Sequence, residues 1–535
     1  MSTLTGGHAL VAALRALNVE VAFGLPGVHN LAAWKGFPHS GVRLVGVRHE
    51  QTAGYAADGY ARATGRLGVA LTTTGPGAAN IVTATGEAWS CHTPLLVLAT
   101  DIPTALRRPG VHRGVLHETT DQAGFFRPVT KAQLRVDAAE ELYATVIAAG
   151  RLALEHPRRP VYLEIPTDLL SAVVDAPEVV PPVASEVPEV DVAKALALLG
   201  SCVRPLIWAG GGATASGAGA LVTALAERLG APVLSSYGGR GLLPPDHPLL
   251  VPLPPHSRPA GELWDAADAV LVLGSDLDAM NTQGFRQPRP PVLIAVDLAE
   301  RLANVEPDVH LRSDVSAAVQ ELLDGLPLPA RSPWSVRPPG RERESGPETA
   351  FLDAFESGLP DDVVVVADMC IAGYWYGGFG RVHEPRGLAY PVGWGTLGFG
   401  FPAGLGAALS GRPAVALVGD GGFLFACGDL ATAAQEQLPL TTVLVDDGGY
   451  GMLAYDFAKD GEQPLGCELE PPDFVLLARA FRLEAREVTV AELGAAIAKG
   501  IASGRPNLLV VRAGFTPPPN TSPRWYRALA TRPAG

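Results

Sequence analysis

The segment VALVGDGGFLFACGDLATAAQEQLPLTTVLVDDGGYGM, residues 415–452, decides the fold of this chain. It opens with an apolar run, Val415–Val418, which predicts a buried strand. Residues 429–437 have helical composition, and a second apolar run, Leu440–Val445, predicts another strand. Because a strand–helix–strand crossover makes its two strands parallel, the segment predicts an α/β domain with a parallel sheet.

An acidic, glycine-rich loop follows each of these two strands. Asp420 lies in Gly419–Gly421 after the first strand, and Asp447 lies in Asp446–Gly449 after the second. Open α/β sheets bind ligands at the carboxyl ends of parallel strands, so we expect the two carboxylates to lie close together. Carboxylates with a backbone carbonyl suit a hard cation, Mg²⁺ or Ca²⁺, that also carries phosphate oxygens. The alternative is ordinary Asp–Gly turn chemistry.

The composition is that of a globular protein with several domains. The 535 residues are enough for about three domains, each with its own core. The net charge of −14 and the lack of a basic run argue against nucleic acid as a partner. The five cysteines are far apart and show neither metal-site nor disulfide spacing. Without a signal-peptide pattern or an apolar segment of membrane-spanning length, we expect no membrane partner and a soluble, cytoplasmic protein.

Two segments without periodicity divide the chain into three predicted domains. Residues 173–190 are rich in Pro and Val, and residues 327–348 are rich in Pro, Arg and Ser, so both are predicted linkers. The predicted domains span residues 1–172, 191–328 and 349–517. Strand-like and helical segments alternate within them, which predicts three doubly wound parallel sheets.

The two acidic loops together resemble the thiamine diphosphate motif of the acetolactate synthase and 2-oxo acid decarboxylase superfamily. There, the Asp of GDG, an Asn of a following Asn-Asn pair and a later carbonyl bind Mg²⁺, and the matching positions are Asp420, Asp447 and Gly449. This chain has Asp446-Asp447 in place of Asn-Asn, which adds negative charge beside the diphosphate. The resemblance implies pyrimidine-binding, central and diphosphate-binding domains, in that order, with thiamine diphosphate and Mg²⁺ as cofactors.

A second segment, GWGTLGFGFP at residues 393–402, resembles the family's GTMGFGLP. The resemblance implies that the Gly395 carbonyl binds the pyrimidine amine and that Leu397 replaces the Met wedged beneath the cofactor. The full cofactor-binding set that it implies is Glu50, Gly395, Leu397, Gly419, Asp420, Gly421, Gly422, Asp447, Gly449, Tyr450, Gly451 and Met452.

Glu50 follows a predicted strand and opens a predicted helix, where a carboxylate by itself could simply favour the helix start. The surrounding RHEQTAGYAADGYARATG, residues 48–65, closely resembles the segment that carries the catalytic Glu of thiamine diphosphate enzymes. That Glu hydrogen-bonds N1′ of the aminopyrimidine and so promotes deprotonation of the thiazolium. A carboxyl in an apolar site has a raised pKa, which suits it to share a proton with a weakly basic nitrogen.

The substrate pocket has candidates in the first and third predicted domains. His29 matches a His of benzaldehyde lyase and some related decarboxylases, and with His117 it is a candidate proton carrier. Residues 116–122 resemble the LHE–DQ pattern of guanidino-oxoacid decarboxylase relatives. Asp456 replaces a Trp of acetolactate synthases, which suggests a substrate with a cationic or polar tail. The alternatives are a loop His bonded to backbone, a solvated loop and a solvent-facing Asp. The further pocket candidates are Val28, Thr74, Glu118, Gln122 and Asp456.

The central segment resembles the domain that holds FAD in acetolactate synthases and pyruvate oxidases. Residues 273–277 lack the Arg-Phe that often follows Leu-Gly in flavin-binding relatives, and residues 210–219 do not match a dinucleotide fingerprint. We therefore expect no FAD. Because family members hold the cofactor between two subunits, the resemblance implies a homo-oligomer, at least a dimer and often a tetramer.

Three functions compete at this point. The leading one is thiamine diphosphate-dependent decarboxylation of a 2-oxo acid, carboligation, or both, as in acetolactate synthase. His29 suggests an aldehyde lyase like benzaldehyde lyase, which would act on 2-hydroxy ketones without releasing CO₂. The Asp446-Asp447 pair suggests a non-catalytic protein of the same fold, whereas the intact Glu50 argues against that function.

Overall fold

A computed structural model describes residues 4–108, 110–175, 191–327, 330–340 and 345–519. They form three sheets of six, five and six strands. Every pairing between the named strands is parallel. The predicted fold class, three parallel α/β sheets, is confirmed.

The N-terminal sheet has the order β2-β1-β3-β4-β6-β5. Its strands are β1 (Val21–Gly24), β2 (Arg43–Gly46), β3 (Gly68–Thr72), β4 (Leu95–Asp101), β5 (Ala132–Arg135) and β6 (Val161–Pro166). The helices are α1 (Gly6–Ala16), α2 (Leu31–Trp34), α3 (Glu50–Thr64), α4 (Pro76–Asn80), α5 (Val82–Ser90), α6 (Leu142–Leu154) and α7 (Thr167–Ser171). The alternation of strand-like and helical segments had predicted a doubly wound parallel sheet here, but not the half-buried edge strand β5.

The central sheet has the order β11-β10-β9-β7-β8. Its strands are β7 (Pro205–Ala209), β8 (Val233–Ser235), β9 (Ala269–Leu273), β10 (Val292–Val296) and β11 (Val309–Leu311). The helices are α8 (Ala193–Ser201), α9 (Gly211–Ala215), α10 (Gly219–Leu229), α11 (Arg258–Ala266) and α12 (Val315–Gly325). Gly217, at φ +70°, separates α9 from α10.

The C-terminal sheet has the order β13-β12-β14-β15-β17-β16. Its strands are β12 (Val364–Ala367), β13 (Leu388–Ala389), β14 (Ala414–Gly419), β15 (Leu440–Asp446), β16 (Glu484–Glu487) and β17 (Asn507–Arg512). The helices are α13 (Pro347–Glu356), α14 (Ile371–Phe379), α15 (Gly400–Ala407), α16 (Asp420–Phe423), α17 (Leu430–Glu436), α18 (Gly451–Lys459), α19 (Phe474–Ala480) and α20 (Val490–Ala502). Asp420 thus begins a one-turn helix where a tight loop was expected.

The predicted linkers fall largely at the limits of the described ranges. Residues 176–190 of the first and 328–329 and 341–344 of the second lie outside the described residues. Helix α13 begins at Pro347, two residues before the predicted start of the third domain. Among the described residues, no helix is both long and apolar enough to cross a membrane.

Helices α3 and α15 join the N-terminal and C-terminal sheets. A Cβ on Gly59 would overlap the carbonyl oxygen of Ala403, and one on Gly406 would overlap that of Ala56. Apolar residues of both helices and of strands from both sheets form one buried cluster. The close approach brings α3, which starts at Glu50, against the segment that leads to β14.

Candidate active site

The two predicted metal-binding carboxylates lie at one edge of the C-terminal sheet. Strands β14 and β15 pair in register, with Gly419 opposite Val445, so Asp420 and Asp447 both follow the carboxyl ends of adjacent strands. The ring of Tyr450 covers Gly421, since a Cβ there would be 2.7 Å from Cε1 of the tyrosine. The structure therefore brings the two acidic loops together.

Asp420 is 1% exposed, and neither of its carboxylate oxygens has a hydrogen-bond partner among the described residues. Burial raises the pKa of Asp420. Burial and the nearby Asp420 carboxylate raise the pKa of Asp447 to about 7. Two such carboxylates repel one another unless a cation lies between them, so this pair fits a divalent ion.

The geometry around these carboxylates leaves room for a third oxygen. A Cβ on Gly421, the residue after Asp420, would be 3.4 Å from the Gly449 carbonyl oxygen, so that oxygen lies against the Asp420 loop. No group of three or more His, Cys, Asp or Glu side chains in the described ranges is arranged to hold a metal. The donor set at this edge is instead two carboxylates and one carbonyl, which suits Mg²⁺ rather than a transition metal.

The other predicted cofactor-binding residues of this domain surround the acidic loops. Gly451 begins α18, and a Cβ there would overlap Oδ2 of Asp447. Met452 packs partly buried against the core of the domain. Gly422 faces a buried carboxylate, Asp368, and a Cβ on it would be 3.0 Å from Oδ2 of Asp368.

Asp368 lies beside the Asp420 loop and was not among the predicted site residues. It lies just after β12, is 1% exposed, and accepts a hydrogen bond from the Met369 amide at 2.8 Å. Burial raises its pKa to about 6. Its place at a strand end was visible in the sequence, but no glycine pair marked it as a ligand loop. Gly395 (φ +69°) and half-buried Leu397 lie in the neighbouring loop.

Glu50 is the first residue of α3 and is 6% exposed. Nδ2 of Asn80 donates to its Oε2 at 2.9 Å, while a Cβ on Gly77 would be 3.2 Å from Oε1. Asn80 was not among the predicted site residues, so its role as the partner of Glu50 was missed. One oxygen of the carboxylate is thus fixed and the other faces the glycine loop.

His29 and His117, 88 positions apart in the chain, meet in an edge-to-face pair with ring centroids 5.3 Å apart. The Nδ1 atoms of both are buried without a hydrogen-bond partner among the described residues. Burial and the neighbouring His117 lower the pKa of His29, which favours its neutral form at pH 7. The structure therefore brings together the two histidines that the sequence offers as candidate proton carriers.

Hydrogen bonds of Gln122 and Thr74 connect the loop that contains Gly75 to Thr100. Oε1 of Gln122 accepts from the Gly75 amide at 2.6 Å, and its Nε2 donates to the Thr100 carbonyl at 2.9 Å. The Thr74 and Thr100 hydroxyls are 3.0 Å apart. Gln122 is 3% exposed, so it lies in the interior and not on a solvated loop.

Three other pocket candidates are placed differently. Glu118 accepts from the amides of Arg113 and Val115, at 2.8 and 3.0 Å, and so closes its own loop. Val28 is 58% exposed. Asp456 is half-buried on α18, a helix without a fully buried residue.

A cavity of about 570 Å³ opens where the three sheets meet. It reaches the carboxyl ends of β7, β9 and β10, at Gly211, Ser275 and Asp297, with Trp89 and Tyr237 among its walls. This is the region compared with flavin-binding relatives above. The expectation that FAD does not bind stays a prediction.

Comparison with known proteins places these features in context. Three family models match: the thiamine pyrophosphate enzyme N-terminal domain at residues 4–125, the central domain at 192–322 and the C-terminal domain at 370–511. A probable 2-ketoarginine decarboxylase of Pseudomonas aeruginosa is 38% identical over 504 residues, which is 91% of this chain and 89% of the relative. A probable acetolactate synthase large subunit of Methanocaldococcus jannaschii is 29% identical, covering 95% of this chain and 91% of the relative.

Solved structures share the fold, and one of them matches nearly the whole length of this chain. It is a thiamine diphosphate-dependent 4-hydroxybenzoylformate decarboxylase of Rhodococcus jostii, which is 24% identical. The match has a TM-score of 0.83 and covers 96% of this chain and 100% of the other.

Proposed function

The chain belongs to the thiamine pyrophosphate enzymes of the acetolactate synthase and 2-oxo acid decarboxylase superfamily, and we propose that it decarboxylates a 2-oxo acid with a cationic side chain. The observation that carries the proposal is the 38% identity with a 2-ketoarginine decarboxylase along nearly the full length of both chains. The buried Glu50–Asn80 pair and the two carboxylates at the edge of the C-terminal sheet support it.

Thiamine diphosphate and Mg²⁺ fit the residues present. Asp420, Asp447 and the Gly449 carbonyl would hold the cation, which in turn would offset their charge and that of the diphosphate. Gly395 and Leu397 would hold the pyrimidine end. When bound, the cofactor supplies the electron sink that allows a 2-oxo acid to lose CO₂.

The role of Glu50 follows from its hydrogen bonding. Because Asn80 occupies Oε2, Oε1 is the oxygen that would share a proton with the aminopyrimidine ring. The buried Nδ1 atoms of His29 and His117 would hold or deliver protons at the substrate carbon from which CO₂ departs. Gln122 would act indirectly, because its hydrogen bond with the Gly75 amide holds that loop in place.

The substrate class is supported by charge as well as by similarity. Asp456 adds a carboxylate where acetolactate synthases have an apolar wall, and a guanidinium group is the cation that pairs with a carboxylate in two parallel hydrogen bonds. The test is CO₂ release from pyruvate and from aromatic, branched and guanidino 2-oxo acids, with thiamine diphosphate and Mg²⁺ supplied. We expect the guanidino acid to react fastest.

Asp456→Ala should narrow the ratio of kcat/KM between the guanidino and the neutral acids. Asp460→Ala, at the exposed end of the same helix, is the matched control and should leave that ratio unchanged. A panel in which pyruvate is preferred would overturn the cationic substrate, and an unchanged ratio in Asp456→Ala would remove Asp456 from the pocket. No CO₂ from any acid would favour the aldehyde lyase or the non-catalytic protein.

Carboligation is the second candidate, favoured by the acetolactate synthase relative. Identifying the products by mass spectrometry separates the two outcomes. An aldehyde one carbon shorter than the substrate indicates protonation after CO₂ loss, and a longer hydroxy ketone indicates ligation to a second carbonyl. The same experiment with added acceptor aldehyde tests whether ligation requires a second substrate.

The active unit is proposed to be a homo-oligomer in the cytoplasm, a dimer at minimum, with each site shared between two chains. Within one chain, no hydrogen bond joins Glu50 or Asn80 to the described residues of the acidic loops. Apolar side chains are exposed beside both half-sites, at Val28, Leu31 and Leu116 on one and Trp394, Phe425 and Leu453 on the other. A second chain would cover these surfaces. Sedimentation measurements, extended to tetramers, test the assembly.

A further inference from the structure

We propose that Arg62 and Glu87 are positioning residues that hold the cofactor loop, residues 390–397, from the N-terminal domain of the same chain. The loop carries Gly395 and Leu397, so the proposal rests on the assignment of these two residues to thiamine diphosphate. It extends the proposed function, because neither Arg62 nor Glu87 is among the groups expected to touch cofactor or substrate.

Arg62 links α3 to the start of the cofactor loop. Its Nε and one terminal nitrogen donate to the two carboxylate oxygens of Asp58, at 2.7 and 2.8 Å. The second terminal nitrogen donates to the Tyr390 carbonyl at 3.0 Å, and the guanidinium lies 4.8 Å from the centre of the Phe399 ring. The two hydrogen bonds to Asp58 fix the plane of the Arg62 guanidinium. The orientation of the guanidinium in turn fixes the position of the Tyr390 carbonyl.

Glu87 links α5 to the middle of the same loop. Its Oε1 accepts from Arg62 at 3.3 Å and its Oε2 accepts from the Trp394 amide at 3.3 Å. The Trp394 ring lies directly over Gly86, where any Cβ would overlap it. One carboxylate thus joins the arginine to the residue that precedes Gly395.

A third contact from α3 completes the attachment. The Tyr55 and Thr396 hydroxyls are 2.5 Å apart, between Gly395 and Leu397. Within the loop, the Val392 amide donates to the Tyr390 carbonyl and the Gly395 amide to the Pro391 carbonyl, both at 3.0 Å. Contacts from the N-terminal domain at residues 390, 394 and 396 add to these bonds and attach the loop to the rest of the chain.

The energetics favour a positioning role over a purely stabilising one. The Asp58 and Glu87 side chains are fully buried and that of Arg62 is 13% exposed, so one cation faces two anions in the interior. Such a cluster stabilises a fold no better than well-packed apolar residues do, although removing one partner is costly. The cluster instead fixes the orientation of the groups bonded to it, because guanidinium and carboxylate groups form hydrogen bonds only in certain geometries. Helix α3 therefore carries Glu50 at its start and Arg62 about three turns later.

The test measures cofactor binding and loop protection, not turnover. Glu87→Gln keeps the volume but turns an amide group toward either Arg62 or the Trp394 amide. We expect calorimetry with thiamine diphosphate and Mg²⁺ to show binding weaker by about tenfold, the effect of losing one charge-assisted hydrogen bond. We also expect faster hydrogen exchange at residues 390–397 of the cofactor-free protein, with β14 unchanged.

The matched control is Asp268→Asn in the central domain, where a carboxylate accepts from the amides of Val203 and Arg204 at 2.9 and 2.8 Å. It should lower the melting temperature without changing cofactor affinity or loop exchange. Wild-type affinity and wild-type loop exchange in Glu87→Gln would overturn the proposal. Equal loss of affinity in Asp268→Asn would also overturn it, since the effect would then be general destabilisation.

If Glu87→Gln does not fold, Tyr55→Phe provides the same test without changing a buried charge. It removes only the hydroxyl next to Thr396, and the same weaker binding and faster loop exchange are expected. A failed substrate panel would leave this result intact, because cofactor binding and exchange need no substrate. Conversely, an active wild-type enzyme whose variants bind normally would refute only the positioning role.

Discussion

At the scale of single residues, the burial and hydrogen bonding of Glu50 distinguish it from an ordinary carboxylate at a helix start. A carboxylate at a helix start is common, because the helix dipole favours it. Here the residue is nearly buried, and Asn80 fixes one oxygen while the other stays directed at the Gly77 loop. The burial and the single donor turn a helix-start residue into a candidate proton carrier.

Glu50→Gln should lower the rate of CO₂ release at least 100-fold, the usual contribution of general acid–base catalysis. The amide retains the size of the side chain but cannot share a proton. Cofactor affinity, measured by calorimetry, should stay within about threefold, since the carboxylate is expected to assist the reaction rather than anchor the ligand. A large loss of affinity at unchanged turnover would assign Glu50 to binding instead.

Asp420→Asn should weaken Mg²⁺-dependent binding of thiamine diphosphate by about 100-fold, because a hard cation loses a charged ligand. The matched control is Asp429→Asn, a buried aspartate whose oxygen accepts from the Arg48 amide and the Thr432 hydroxyl. It should reduce stability and leave the affinity unchanged. Calorimetry at several Mg²⁺ concentrations measures the affinity of both variants for thiamine diphosphate. An equal loss of affinity in both variants would contradict the assignment of Asp420 as a metal ligand.

At the scale of elements, the crossing of α3 and α15 determines how the N-terminal and C-terminal sheets meet. The two helices approach through Gly59 and Gly406, where no side chain fits. Their apolar faces then share one buried cluster, and the contacts of Arg62 and Tyr55 with the cofactor loop depend on that approach. The spacing between the helices is therefore part of the site.

Gly406→Ala should destabilise the protein by about 2 kcal/mol, since an added methyl in a packed crossing forces the backbones apart. Gly200→Ala is the control, because nothing lies within 4 Å of a Cβ on that helix residue. Alanine there should raise stability by about 0.5–1 kcal/mol through helix propensity. The melting temperature should fall in Gly406→Ala and rise in Gly200→Ala. Equal shifts in the two variants would contradict the close approach of α3 and α15.

At the scale of the whole molecule, exposed apolar side chains lie in the segments that carry the candidate site residues. Val28 and Leu116 flank the N-terminal half, and Phe425 and Leu453 flank the C-terminal half, with exposures of 40% or more. An arrangement in which Glu50 of one chain serves Asp420 of another would bury both surfaces. Each chain would then contribute to two sites.

Mixing inactive Glu50→Gln with inactive Asp420→Asn chains should restore activity, because a mixed dimer has one site with both native residues. Random reassembly would give about one quarter of the wild-type rate, since half of the dimers are mixed and each has one intact site of two. The measurement is CO₂ release after joint refolding or co-expression. No recovery, despite mixed dimers seen by mass spectrometry, would place Glu50 and Asp420 of one chain in the same site.

The sequence by itself determined the features that depend on local order. Apolar runs broken by glycine and acidic residues marked β14 and β15, so Asp420 and Asp447 could be assigned to strand ends, and the motif around Glu50 identified the helix it opens. The sequence did not predict short or half-buried edge strands such as β5, β13 and β16, because exposure on one side removes the apolar pattern.

Only the tertiary structure decided which distant side chains meet. The pairing of His29 with His117, the hydrogen bond of Gln122 to Gly75 and the contact of Arg62 with Tyr390 all join segments far apart in the chain. The physical reason is that periodicity encodes one face of one element. Contacts between elements depend on how closely whole faces pack, which the glycines of α3 and α15 decide here.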